Sequence, residues 1–212
     1  MGFVRHIRSL VRKMEDWQFD RARSVETSEP VTLDGFEIVG SHKAGFEYFP
    51  VRAVSARRAI EDLPVPDYAD YTFVDLGSGK GRMLFVAAEY PFRKIEGVEF
   101  ASGLHKQAES NIRRYRYTRQ QCRSIESLNI DASDYDFPNE KLVLCLFNPF
   151  GPETIQRVMA GLDASLDKYP RHVILLYLYP VYSESVGAMP KFRLYKTTGR
   201  YDIYQTDCSR SI

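Results

Sequence analysis

Between Tyr71 and Tyr179 short apolar runs alternate with helical patterns, and this rhythm admits few architectures. Strands are expected at 71–76, 94–100, 124–130, 142–147 and 173–179, and helices at 82–90, 102–117 and 152–166. The run Leu142–Phe147 is continuously apolar, as in a strand covered on both faces of a parallel sheet. The end of the chain differs. Phe192–Thr197 and Tyr201–Thr206 flank a turn at Gly199, which predicts an antiparallel hairpin closing a mostly parallel sheet. The class is therefore α/β.

The first sixty-six residues do not follow the rhythm. Val4, Ile7, Leu10, Val11, Met14 and Phe19 recur at helical spacing, with Arg5, Arg8, Arg12 and Lys13 between them. An amphipathic helix is expected, packing its stripe on the domain. A membrane-surface helix or a partner-binding helix is the alternative. Loops follow over 21–45, and a second helix is expected over 50–63, ended by Pro64 and Pro66. This divides the chain into a helical extension, 1–66, and an α/β domain, 67–212.

Composition narrows the class further. A net charge of +1 over 212 residues supplies no global field to attract nucleic acid or an anionic membrane. Cys122, Cys145 and Cys208 lie far apart, and His6, His42, His105 and His172 are isolated, so the spacing fits no metal template. The start carries no apolar core of a signal peptide and no stretch reaches the roughly 20 apolar residues of a membrane span. A cytoplasmic protein with reduced thiols is expected.

The segment Phe73-Val-Asp-Leu-Gly-Ser-Gly-Lys-Gly-Arg82 runs from strand to helix through three glycines. Glycine permits a sharp turn and a close approach of backbone to ligand, and the helix start adds free N–H groups. The glycines fall at 77, 79 and 81, with Arg82 where a dinucleotide fingerprint needs glycine, and no P-loop pattern is present. Asp75 just before the loop would repel a pyrophosphate and suit a cationic ligand. S-adenosylmethionine carries a sulfonium and an ammonium group. Glu99, ending Glu96-Gly-Val-Glu99, can accept both ribose hydroxyls. Asp131, in Asn129-Ile-Asp131-Ala132, can accept from an adenine amine, with Asp134 and Asp136 close enough to serve instead. Lys80 and Arg82 are read as solvent-facing, with a ligand contact the alternative for Arg82.

In their order, D-L-G-S-G-K-G-R, G-V-E-F and N-I-D-A, each after a strand, resemble the class I, Rossmann-like S-adenosylmethionine-dependent methyltransferases. The likeness extends over Tyr71–Asp207. It implies a mostly parallel seven-stranded sheet with helices on both faces and S-adenosylmethionine as cofactor. The residues it places against the cofactor are Asp75, Gly77, Ser78, Gly79, Gly81, Glu99, Phe100, Asp131, Ala132 and Asn148. A narrower likeness is to bacterial methyltransferases of unassigned substrate, through the N-terminal extension, Tyr48-Phe49-Pro50 and Asn148-Pro149-Phe150. The Tyr-x-Pro element is also similar to that of seven-strand lysine methyltransferases. In such proteins the N-terminal segment commonly covers the cofactor, which implies a lid over the site, with Tyr48 closing on it.

The fourth strand delivers Asn148-Pro149-Phe150-Gly151 to the carboxyl edge of the sheet, where open α/β sheets bind ligands. Asn148 can accept from an amine, Pro149 stiffens the turn and Phe150 offers a ring face, so these residues with Tyr48 are the candidate acceptor site. The sequence departs from the [Asn/Asp]-Pro-Pro-[Tyr/Phe] motif of amino-group methyltransferases at Phe150 and Gly151. A plain Pro-Gly turn is the alternative. Methyl transfer to nitrogen or oxygen by in-line displacement is expected, with the acceptor a protein side chain or small molecule ahead of nucleic acid. The rival is a module that holds S-adenosylmethionine or a partner without chemistry. Arg113, Arg114, Arg116 and Arg119, interleaved with Tyr115 and Tyr117, are read as a solvated helix end, with nucleic-acid contact as the alternative.

Overall fold

The computed structural model describes residues 2–32, 36–39, 47–147 and 151–207; for 2–6, 8, 9 and 185 it describes the backbone alone. Helix α1 (Gly2–Arg23) leads to a two-residue ladder of β1 (Val31–Thr32) on β2 (Glu47–Tyr48), then to α2 (Ala53–Glu61). The main body follows as β3 (Thr72–Leu76), α3 (Arg82–Ala87), β4 (Lys94–Val98), α4 (Ser102–Arg114), β5 (Ile125–Leu128) and β6 (Leu142–Leu146). It ends with α5 (Pro152–Lys168), β7 (Val173–Leu178), α6 (Ser183–Gly187), β8 (Phe192–Thr197) and β9 (Tyr201–Thr206).

Strands β3 to β9 form one seven-stranded sheet in the order β5-β4-β3-β6-β7-β9-β8. Pairings from β5 through β7 are parallel, and β9 runs antiparallel to both β7 and β8. This is the architecture expected from the strand–helix rhythm. The switch point lies at β3, whose neighbours β4 and β6 are reached by connections running in opposite directions along the sheet. The carboxyl ends of β3, β4 and β6 therefore border one crevice.

The central strands are buried throughout, yet their side chains still divide by period two between two cores. Phe73, Ile95, Val143, Ile174 and Leu176 face one layer with residues of α2 and α3. Val74, Leu144, Leu175 and Tyr177 face the other with α5. The N-terminal extension joins the first layer, contributing Phe19, Val25 and Val51.

The register of α1 corrects one expectation. Its apolar stripe does not pack on the body: Ile7, Leu10, Val11 and Met14 are exposed, as is Trp17, and among the stripe's described side chains Phe19 alone is buried. The face turned inward holds Asp16, Phe19, Asp20 and Arg23, which are spaced as helical neighbours. Arg23 is buried over the rings of Phe19 and Tyr117 and pairs with buried Glu89 at 2.5 Å. Ion pairing, more than apolar contact, sets how the helix lies. No helix among the described residues is long and apolar enough to cross a membrane.

Candidate functional site

Strand β3 carries Asp75 to the carboxyl edge, and the glycine loop turns from there into α3. Gly77, Gly79 and Gly81 all have positive φ, at 87°, 55° and 88°. These angles strain any residue with a Cβ, so three alternating glycines are what such a loop needs. The loop is tied down by Gly77 N–H and Ser78 N–H, which both donate to Val98 O, at 2.8 and 3.0 Å. Gly79 is restricted by contact as well, since a Cβ there would overlap the ring of Tyr48.

Glu99 completes the loop from β4. Its two carboxylate oxygens accept from Gly79 N–H at 2.8 Å and Ala101 N–H at 2.9 Å. Burial pushes its carboxyl up to about 7, against the pull of those N–H groups. Burial also raises Asp75 to about 7; a hydrogen bond from the Cys145 thiol opposes the rise and the Glu99 charge adds to it. Among the described residues no basic side chain forms an ion pair with either acid. Ser78 Oγ is buried against Gly97, with no hydrogen-bond partner among the described residues.

These groups line a hollow of about 230 Å³. Its floor is Asp75, Gly77, Ser78, Gly79 and Glu99, and its walls include Tyr48, Phe49, Met83, Phe100, Phe147 and Leu178. The hollow is narrower than the roughly 300–1,000 Å³ of most small-molecule sites because Tyr48 presses on Gly79. Tyr48 is held there by its hydroxyl, which donates to Thr27 O at 2.9 Å. Residues 37–39 cross the end of β4 beside it, with Val39 N–H donating to Phe100 O and Ser102 N–H to Glu37 O, both at 3.0 Å.

Seven of the residues anticipated from sequence come together here: Tyr48, Asp75, Gly77, Ser78, Gly79, Glu99 and Phe100. Gly81 stands just behind, at the start of α3. Asp131 and Ala132 do not line the hollow. Asp131 Oδ1 accepts from the Ser133 N–H and hydroxyl, at 2.9 and 2.7 Å, capping its own turn, and Ala132 packs in the second core. Asn148, Pro149 and Phe150 lie outside the described residues, as does Cys208.

Lys80 and Arg82 are not solvent-facing, contrary to expectation. Lys80 donates to Glu29 O at 2.7 Å. Arg82 is 1% exposed and binds the extension with its whole guanidinium: Nε donates to Thr27 Oγ1 at 2.7 Å, Nη2 to Ser28 Oγ at 2.8 Å, and Nη1 pairs with Asp16. Asp20 collects the same loop, accepting from the N–H and hydroxyl of both Thr27 and Ser28. Asn111 of α4 adds a bridge, donating to Lys80 O at 3.0 Å and Glu26 O at 3.1 Å. Lys80 and Arg82 stand within the glycine-loop motif, but their partners over residues 16–29 belong to none, and only the clustered acids and hydroxyls there hint at them. The arginines at the end of α4 and just beyond it are exposed, while Tyr115 is buried against Phe85 and Arg114 pairs with Glu26 at 2.8 Å.

No family model and no curated protein matches this chain by sequence. Solved structures do match. A predicted N6-adenine-specific DNA methylase from Listeria monocytogenes is similar over 74% of this chain, with TM-score 0.53 and 17% identity. The match covers 51% of that protein, so this chain spans about half its length. The fold is that of the class I methyltransferases. An RNA methyltransferase from Salinibacter ruber, in complex with S-adenosyl-L-homocysteine, is similar over 77% of this chain and 95% of its own, with TM-score 0.51 and 20% identity. MtNAS in complex with S-adenosylmethionine matches 74% of this chain and 62% of its own, with TM-score 0.54 and 13% identity. The expectation that ranked nucleic acid behind protein or small-molecule acceptors is overturned by these matches, two of which are named for DNA or RNA methylation.

Proposed function

We propose that the protein is a methyltransferase that binds S-adenosylmethionine over the glycine loop and transfers its methyl group to a nitrogen or oxygen of a nucleic acid. The observation that carries the cofactor is the pair of buried carboxylates, Asp75 and Glu99, at the floor of the hollow, to which no described side chain supplies a cation. Burying acids without a counter-charge is costly, and a ligand bearing an ammonium and a sulfonium offsets that cost. The bound cofactor supplies a methyl group on an activated carbon, so the chain need only position the acceptor and exclude water.

Asp75 and Glu99 fit the cofactor's ammonium and ribose ends, and Glu99 also fixes the loop through Gly79. Asp131 and Ala132 suit the adenine end only if the cofactor reaches past the hollow's rim. Tyr48, Phe49 and Phe147 offer ring faces for a planar acceptor, as an unstacked base would present. Asn148, Pro149 and Phe150 border the acceptor in this reading. Residues 1–66 form the covering segment, with Tyr48 lifting from Gly79 to admit the cofactor. The nucleic-acid class is supported by the fold matches named for DNA and RNA.

Calorimetry with S-adenosylmethionine and with NAD tests the cofactor; binding of NAD alone would overturn it. The acceptor is tested with labelled S-adenosylmethionine and separate total RNA, single-stranded DNA, protein and small-molecule fractions. Label entering RNA or DNA is expected. Label entering only protein or small molecules would refute the nucleic-acid reading and leave the methyltransferase standing.

A further inference from the structure

Helix α1 is amphipathic, yet it lies with its charged side on the body and its apolar side in solvent. Ile7, Leu10, Val11, Met14 and Trp17 are 43–57% exposed. Their spacing places them on one face, over roughly 15 Å of helix at about 1.5 Å per residue. The helix cannot roll to bury them. Its opposite face is fixed by Arg82 on Asp16 and Asp20, and by Arg23 on Glu89, all across the boundary with α3. The apolar face is thus held outward by buried ion pairs, and something else must cover it.

Charge decides what. The first fourteen residues contain Arg5, Arg8, Arg12 and Lys13 and no aspartate or glutamate. Lys13 is exposed one turn before Trp17, and Arg21 lies over the Trp17 ring at 5.1 Å, whereas Arg12 turns to the body, donating to Pro50 O and pairing with Asp16. We propose that this face of α1 docks on an anionic phospholipid bilayer, with the stripe in the acyl–headgroup boundary and Lys13 and Arg21 among the phosphates. A basic helix with tryptophan and aliphatic residues on its apolar side lies in such an interface at a depth of about 5–10 Å. Nucleic acid would satisfy the cations and leave the stripe in water. A second copy would cover the stripe and bring its own Lys13 and Arg21, charges of the same sign, to the same face.

Trp17 is the single tryptophan of the chain, so its emission reports on this face alone. The full-length protein is titrated with vesicles of phosphatidylglycerol and, separately, of phosphatidylcholine. A blue shift is expected with phosphatidylglycerol, at affinity roughly tenfold or more above phosphatidylcholine, and weakened by salt. Leu10→Glu and Met14→Glu change exposed positions; each should retain the parent circular dichroism and reduce vesicle affinity at least about tenfold. Lys13→Glu should reduce the preference for phosphatidylglycerol while leaving the fold unchanged. Three results would overturn the proposal: no shift with phosphatidylglycerol, an equal shift produced by raising protein concentration without lipid, or an equal shift produced by an RNA oligonucleotide alone.

Discussion

Asp75 sits at the end of a strand buried on both faces, beside a second buried acid, and its carboxyl is raised to about 7 from an ordinary 3.8. A raised carboxyl means that the cofactor-free fold prefers the protonated acid. Its contribution to stability is whole below about pH 4 and is lost as pH rises through 7. Asp75→Asn removes this penalty while keeping an oxygen to accept from the Cys145 thiol. At pH 8 without cofactor the variant should be more stable than the parent by on the order of 2 kcal/mol, and the gain should shrink as pH falls and vanish below about pH 4. Other titrating groups, such as His172 with its lowered value, are common to both proteins and cancel in the comparison. The same change should weaken S-adenosylmethionine binding roughly tenfold or more, because a neutral amide no longer opposes the cofactor's charge. Urea denaturation at the two pH values and calorimetry check both effects; a variant with parent-like stability at pH 8 would show that Asp75 carries no such penalty.

At the scale of elements, α3 is held at both ends by α1. Arg82 at its first residue takes Asp16, Asp20, Thr27 and Ser28, and Glu89 just past its last takes Arg23 and, at 2.8 Å, Arg57. Because α3 starts where the glycine loop ends, this clamp also fixes the loop. Arg82→Ala leaves Asp16 and Asp20 facing the body without their cation, and should reduce stability by about 3 kcal/mol. Arg82→Lys should recover only part of that, since an ammonium cannot reach all four partners. Urea midpoints measure both; a loss under about 0.5 kcal/mol for Arg82→Ala would mean the clamp is idle. The strands and helices themselves were legible, because hydrophobic period and glycine breaks are local: the expected hairpin at 192–197 and 201–206 is the one observed. The loop, Asp75 and Glu99 were legible for the same reason, each standing at a strand end. The clamp was not, because Arg82 meets its partners across more than fifty residues of chain. Nor was the register of α1, since an amphipathic pattern shows that a helix has two sides and does not say which one the body takes. Asp131, which also follows a strand, caps its own turn by accepting from Ser133.

The whole molecule follows from where the extension's side chains go. The division at residue 66 reads as two units in sequence, but Phe19, Val25 and Val51 share a core with Phe73, Ile95 and Val143 of the sheet. The extension also supplies the partners of Arg82 and Glu89 and the carbonyl that holds Tyr48 over Gly79. A segment that satisfies buried charges of the body cannot open as an independent unit without stranding them, at several kcal/mol for each broken pair. Tyr48 is held over Gly79 by the β1–β2 ladder and by its hydroxyl on Thr27 O, with no buried ion pair, so the lifting proposed for it breaks none. Calorimetry of the whole chain should therefore show a single transition whose van't Hoff and calorimetric enthalpies agree. A chain beginning at residue 31 should lose that cooperative transition and its cofactor binding together, because Arg82 and Glu89 then lie buried or newly hydrated without Asp16, Asp20 and Arg23. Two separated transitions in the whole chain, or a cooperatively folded chain from residue 31 that binds S-adenosylmethionine as the parent does, would show instead that the extension is an appendage and that the glycine loop holds its shape without it.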